Sequence, residues 1–158
     1  MTRVGIGYDS HRFVDGRSLI LGSVHVPHDQ GLAGHSDADA VAHAVTDAIL
    51  GAAGAGDIGR HFPDTDPIWK DADSMALLDR AVAIVRARGY RVRQADVTIV
   101  AERPKLAAHA DRMAAALAAR LGIGAGDVGV KAKTNEGMGW IGRGEGIAVI
   151  AVATLGSG

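Results

Sequence analysis

Ile147-Ala148-Val149-Ile150-Ala151-Val152-Ala153-Thr154-Leu155 is a nine-residue run with apolar side chains at odd and even positions alike. Its length and β-branched content read as a strand. Successive strand side chains point to opposite faces, so both faces of the sheet that holds it are apolar. Helices of the same chain can cover one face. A partner subunit is the expected cover for the other.

The rest of the chain supplies the neighbours of that strand. Arg3 to Tyr8, Tyr90 to Val100 and Val128 to Lys133 read as further strands, and Ser18 to Pro27 as a hairpin around Gly22-Ser23. Ser36 followed by Asp39 is a capping-box-like helix start, with Ser36 as the cap. Behind it Ala40, Ala44, Val45, Ala48 and Ile49 form an apolar stripe that ends near Gly51. Ser74 is the expected cap of a second helix, with Leu77, Leu78, Ala81, Ile84 and Val85 inward and Gly89 as its stop. A third helix is predicted from Ala107 to Leu121, ending at Gly122. These elements make one α+β domain over residues 1–158, a mixed β-sheet with helices packed on one face. Ala52 to Asp73 is a long connection rich in Gly, Asp and Pro, and is the candidate lid.

Composition narrows the function. Lys plus Arg number 17 against 18 Asp plus Glu, which gives no basis for a nucleic-acid or polybasic membrane surface. Any phosphate ligand must therefore be held locally. The absence of cysteine excludes thiolate metal sites and cysteine nucleophiles, and leaves seven histidines as the soft ligands. A strand begins almost at the amino terminus, with no signal peptide ahead of it and no bilayer-length apolar run beyond. The expected location is cytoplasmic.

Several motifs are candidates for chemistry. Asp9 and His11 are two apart, so on a strand both point to one side, and His43 can join them from the first helix. Two imidazoles and a carboxylate around an open position is the pattern of catalytic zinc. The competing reading pairs His43 with Asp39, one helical turn away. His35 precedes the first helix and can donate to an anion near its amino end. Gly56-Asp57-Ile58-Gly59 and Phe62-Pro63-Asp64-Thr65-Asp66-Pro67 are either simple turns or the lining of a hydroxyl-rich ligand site. Arg103-Pro104-Lys105-Leu106 reads first as a device that starts a helix, or else as a rigid turn that meets the edge of a small base. Lys131 to Glu136 and the glycines after it suit phosphate, with Glu136 able to share a magnesium ion. Gly142-Arg143-Gly144-Glu145-Gly146 is expected as a strand lying close to a subunit axis.

In order and in spacing, these motifs closely resemble the 2-C-methyl-D-erythritol 2,4-cyclodiphosphate synthase family, along essentially the whole chain. The resemblance implies a homotrimer with its sheets facing the interior, active sites between neighbouring subunits, and a possible isoprenoid ligand on the three-fold axis. It implies conversion of 4-diphosphocytidyl-2-C-methyl-D-erythritol 2-phosphate to the cyclic diphosphate, with release of CMP. Asp9, His11 and His43 would hold zinc or another divalent transition metal, and Glu136 a Mg2+ or Mn2+ that bridges the diphosphate. His35 and Thr134 would stabilise the transition state. His35, Ser36, Asp57 and Gly59 would line the methylerythritol phosphate, joined by Phe62, Pro63, Asp64, Thr65 and Asp66, with Ser10, Ile58 and Asn135 as further substrate-binding residues. Ala101, Glu102, Arg103, Pro104, Lys105, Leu106 and Ala107, with Lys133, would form much of the nucleotide pocket. Trp140 and Arg143 match further substrate contacts.

Overall fold

Alternating side chains from Arg3 to Val14 form strand β1, so Asp9 and His11 lie within the strand, which runs beyond the expected end at Tyr8. The computed structural model describes residues Met1–Gly158. After β1 come β2 (Leu19–Leu21), β3 (Val24–Val26) and the two-residue β4 (Gly31–Leu32), then helix α1 (Ala40–Ala52) and a short α2 (Ile58–His61). A 3-10 turn at Pro67–Trp69 leads to α3 (Ser74–Ala87), β5 (Tyr90–Val100), α4 (Ala110–Leu121), β6 (Val128–Lys133), α5 (Gly139–Gly142) and β7 (Gly146–Ser157). The main sheet has the order β4-β1-β7-β5-β6. Only β5 and β6 pair in parallel, joined through α4, so the sheet is mixed as expected. No helix is long and apolar enough to cross a membrane.

The two faces of the sheet differ sharply. Val97, Ile99, Ile147, Val149, Ala151 and Leu155 point inward and are buried with the apolar side of α1. On the opposite face Val4, Ile6 and Tyr8 are 65%, 70% and 56% exposed, beside Ile150 and Val152. An apolar patch of this kind on a sheet face marks an interaction surface.

Four local expectations are corrected. Ser36 does not cap α1: Ala38 takes a left-handed φ of 58°, the helix starts after it, and Asp39 is the cap, accepting from the Ala42 N–H at 3.0 Å. The Asp39 carboxylate also accepts from Gly22 and Ser23, both at 2.8 Å, so the helix cap clamps the β2–β3 turn as well. In that turn Gly22 and Ser23 both have positive φ, the signature of a type I′ hairpin. Ser74 is the first residue of α3, and the cap is Asp73, which accepts from Met75 N–H. Gly142 to Glu145 is not a strand. The turn of α5 closes there, Gly144 is left-handed, and Arg143 pairs with Glu145 at 2.8 Å instead of facing away with it. The third helix starts later than expected, because Ala107–His109 is a 3-10 turn leading into α4.

Candidate metal and substrate site

Asp9 and His11 project from the same side of β1 toward α1, which presents His43 from its first turn. Asp9 Oδ2 lies 2.7 Å from His11 Nε2 and 3.2 Å from His43 Nδ1, and the two ring nitrogens are 3.3 Å apart. Tetrahedral zinc, with bonds of about 2.0–2.1 Å, sets its ligand atoms about 3.3 Å from one another. One carboxylate oxygen and two imidazole nitrogens facing a common point at this spacing fit such a cation. Asp39 makes no contact with His43 through its side chain, so the competing pairing is not formed.

Hydrogen bonds assign both tautomers. His11 Nδ1 is 2.6 Å from the Ala33 carbonyl, which can only accept, so Nδ1 carries a proton and the neutral ring offers its lone pair at Nε2. At His43, Nε2 is 2.8 Å from Ser74 Oγ, and the Ser74 hydroxyl donates to Asp37. The serine oxygen therefore accepts from His43 Nε2–H, and Nδ1 is free for the cation.

The electrostatics follow from the same contacts. With no cation between them the same two nitrogens, when protonated, donate to Asp9 instead. Burial works to raise the Asp9 pKa, but these hydrogen bonds from His11 and His43 and the charges of the rings outweigh it, and the carboxyl sits below its usual range. Burial works to lower His11, but the Asp9 hydrogen bond and charge, with the Ala33 carbonyl, hold it above its usual value. One turn further along α1, burial pushes the Asp47 carboxyl up, despite its bond from Ile58 N–H at 2.7 Å.

A cavity of about 370 Å3 opens beside the triad. His11, His35, Ser36, His43, Ile58, Gly59, Phe62, Pro63 and Asp64 line it, joined by Trp69 and Leu77, which the sequence reading missed. Asp57 stands next to this cavity as the cap of α2, accepting from Arg60 N–H, and Asp66 caps the 3-10 turn while its carbonyl accepts from His35 Nε2 at 3.1 Å. Thr65 is exposed between them. The long connection is pinned: Asp71 N–H donates to the His35 carbonyl at 2.8 Å and Asp37 N–H to the Ala72 carbonyl at 3.1 Å. Ser10 points to the other side of β1, near Trp140.

The remaining candidates gather elsewhere along the same sheet end. Ser10 pairs with Ala148, Ala148 with Val100, and Val100 with Lys133, so three strand spacings, about 14 Å, separate the β1 group from the β6 group. There the Ala101–Ala107 turn, with a cis peptide bond at Arg103-Pro104, lies beside the Lys133-Thr134-Asn135-Glu136 loop. Ala101 N–H donates to the Lys133 carbonyl at 2.9 Å. Glu102 Oε1 accepts from the N–H groups of Asn135, at 3.1 Å, and Gly137, at 2.7 Å, around a left-handed Glu136. Such paired N–H groups form an anion-binding concavity, here filled by the chain's own carboxylate. Leu106 is buried beneath the turn, while Arg103, Lys105, Thr134 and Glu136 are exposed. Arg103 and Arg143 share a second cavity of about 400 Å3 with Glu102.

A family model described as YgbB matches residues 2–156 of this chain. The chain belongs to the YgbB family. The 2-C-methyl-D-erythritol 2,4-cyclodiphosphate synthase of Chromobacterium violaceum is 59% identical over 155 residues, covering 98% of both chains. That of Salinibacter ruber is 57% identical over 153 residues, covering 97% of this chain and 98% of its own. Among solved structures, the bifunctional IspDF of Campylobacter jejuni superposes with a TM-score of 0.97 at 42% identity, and this chain corresponds to all of itself and 43% of that protein. A 2C-methyl-D-erythritol-2,4-cyclodiphosphate synthase in its CDP-bound form superposes at 0.89 with 39% identity, over 98% of this chain and 100% of the other. Membership of the YgbB family makes this chain a cyclodiphosphate synthase of the non-mevalonate isoprenoid pathway, as the motif order implied.

Proposed function

We propose that this chain converts 4-diphosphocytidyl-2-C-methyl-D-erythritol 2-phosphate to 2-C-methyl-D-erythritol 2,4-cyclodiphosphate and CMP, at a site completed by a second copy of the chain. The observation that carries the reading is the Asp9, His11 and His43 triangle opening onto the His35–Asp64 cavity. In the reaction an oxygen of the substrate's 2-phosphate bonds to the β-phosphorus while the bond to the bridging oxygen breaks, and CMP leaves with that oxygen. The nucleophile is already anionic, so no side chain need remove a proton.

Asp9, His11 and His43 would hold a divalent transition metal such as zinc and Glu136 a Mg2+ or Mn2+, and these ions would supply Lewis-acid charge neutralisation. The protein residues hold the substrate bent, so that its two phosphate groups meet. His35 and Ser36, at the cavity wall, bind the methylerythritol phosphate with Asp57, Ile58, Gly59 and the Phe62–Asp66 segment. The Thr134 hydroxyl and His35 donate to the phosphoryl oxygens as charge shifts during transfer. Backbone groups of Ala101–Ala107, with Lys133 and Asn135, hold the cytidine, and Trp140 and Arg143 contact the chain between. Ser10 borders the triad on the strand's other side.

Three copies with their sheets inward would cover Val4, Ile6, Tyr8, Ile150 and Val152, and would bring the β1 half-site of one copy to the β6 half-site of the next. The 14 Å gap within one chain, about three strand spacings, supports this sharing. The enclosed apolar axis suits an isoprenoid, and a polyanionic substrate that does not cross bilayers fits a cytoplasmic enzyme. The test is incubation with the cytidylylated substrate and Mg2+, followed by mass spectrometry. Cyclic diphosphate plus CMP is the expected outcome. An open-chain hydrolysis product would make the chain a metal-dependent phosphohydrolase, and an unchanged substrate would overturn the proposal.

A further inference from the structure

Ser74 is completely buried, 31 residues away in sequence from the histidine it touches, and belongs to none of the motifs above. We propose that Ser74, backed by Asp37, is a positioning residue that locks the His43 imidazole in the tautomer with its proton on Nε2, so that Nδ1 faces the cation. The inference rests on the triad reading and deepens it.

Asp37 takes both donors of Ser74, the hydroxyl on Oδ1 and the backbone N–H on Oδ2 at 3.2 Å. The serine has one hydroxyl proton, and it is committed to the carboxylate. Its oxygen can then only accept at His43 Nε2, 2.8 Å away. In the other tautomer two lone pairs would face each other at that distance, with no room for water. Ser36 Oγ accepts from Ala38 N–H and can give its own proton to Ser74 Oγ, 3.3 Å away, which leaves its oxygen, 3.1 Å from the same nitrogen, as a second acceptor for Nε2–H. His11 is oriented differently, by the Ala33 carbonyl, a group that no side-chain substitution removes. A carboxylate behind a ligand histidine raises its basicity as well as fixing its orientation. Ser74 also opens α3, directly after the cavity-lining connection, so the same contact ties that segment to the cation site.

The test uses the full chain with a chelator-competition titration of Zn2+ and long-range 15N–1H NMR of the imidazoles. In the zinc-loaded wild type, the His43 nitrogens should show a proton on Nε2 and the metal on Nδ1, the nitrogen that faces Asp9 at 3.2 Å. Ser74→Ala should give mixed tautomers and bind Zn2+ about 10- to 100-fold more weakly. Asp37→Ala, which removes the acceptor and frees the serine proton for His43, should move both readouts the same way and carries the test should Ser74→Ala not fold. Asp79→Asn, an exposed change on α3, should move neither. Wild-type zinc binding with unchanged affinity and tautomer in the folded variants would overturn this proposal alone. A wild type that binds no zinc would overturn the triad reading, and this proposal with it.

Discussion

Gly7 of β1 lies under Ala44 of α1 so closely that a Cβ on the glycine would stand 1.8 Å from the Ala44 carbonyl oxygen. Gly5 meets Ala48 in the same way, at 2.0 Å. Backbone against backbone, the helix comes close enough for His43, the residue before Ala44, to reach Asp9, two residues past Gly7. Gly7→Ala has to push α1 away from the strand. Overpacking against backbone of this kind costs about 3 kcal/mol or more. A lowered melting temperature and weakened zinc binding are expected together, in thermal denaturation and metal titration. Unchanged values would mean that the helix tolerates displacement without moving His43.

Removing a ligand should separate chemistry from folding. Asp9→Asn and His43→Ala should lower turnover by about three orders of magnitude or more, while circular dichroism stays native. Chelation of the wild type should have the same effect, reversed by adding zinc. CMP release near the wild-type rate by a metal-free His43→Ala protein would remove the triad from the mechanism.

The Asp9–His11 pair gives the metal-free protein a defined pH response. His11 titrates above its ordinary 6.5, so its contribution to stability is complete below 6.5 and is lost as pH rises through the raised value. Asp9 titrates below its ordinary 3.8, so its contribution is present above 3.8 and is lost as pH falls through the lowered value. Melting temperatures of chelated protein should therefore peak in the mildly acidic range. Zinc affinity should run the other way, falling as protons take His11, because the ligand must be neutral. Calorimetric titration in buffers of different ionisation enthalpy would detect the released proton.

Asp39→Ala removes the α1 cap and unpairs three N–H groups, those of Gly22, Ser23 and Ala42. A loss of about 3 kcal/mol is expected in chemical denaturation. Burial holds this carboxyl above its ordinary range, against the three backbone bonds. Asp39→Asn keeps two acceptor positions at one oxygen and should lose less than the alanine variant.

Glu102→Ala empties the concavity formed by the Asn135 and Gly137 N–H groups and frees the Thr134–Glu136 loop from the Ala101–Ala107 turn. The expected result is a raised KM for the cytidine substrate, about tenfold, with Glu102→Gln close to wild type because its carbonyl still accepts. Equal kinetics for all three proteins would show that the two loops hold their places independently.

Much of this was legible in the chain itself. Periodicity placed β5 and β6 with their observed limits, and glycine stops placed the ends of α3 and α4, because these signals are local and repeat within a few residues. Residue type and spacing picked out the three side chains that converge into a cluster able to hold a metal, since a strand obliges Asp9 and His11 to share a side. The short α2 and the β4 pairing escaped notice, being too brief to show a period.

Which serine or aspartate would cap a helix, and which would stand behind a ligand, was settled in three dimensions. Ser36 and Asp39 have similar local credentials, but the left-handed Ala38 and the nearby β2–β3 turn gave the cap to Asp39. Ser74 joins His43 across 31 residues and Glu102 joins Asn135 across 33, contacts that leave no trace in local periodicity. Sequence alone determined the kinds of ligand and the elements that carry them. Tertiary structure decided their partners and their protons, because a hydrogen bond depends on where the chain returns to in space.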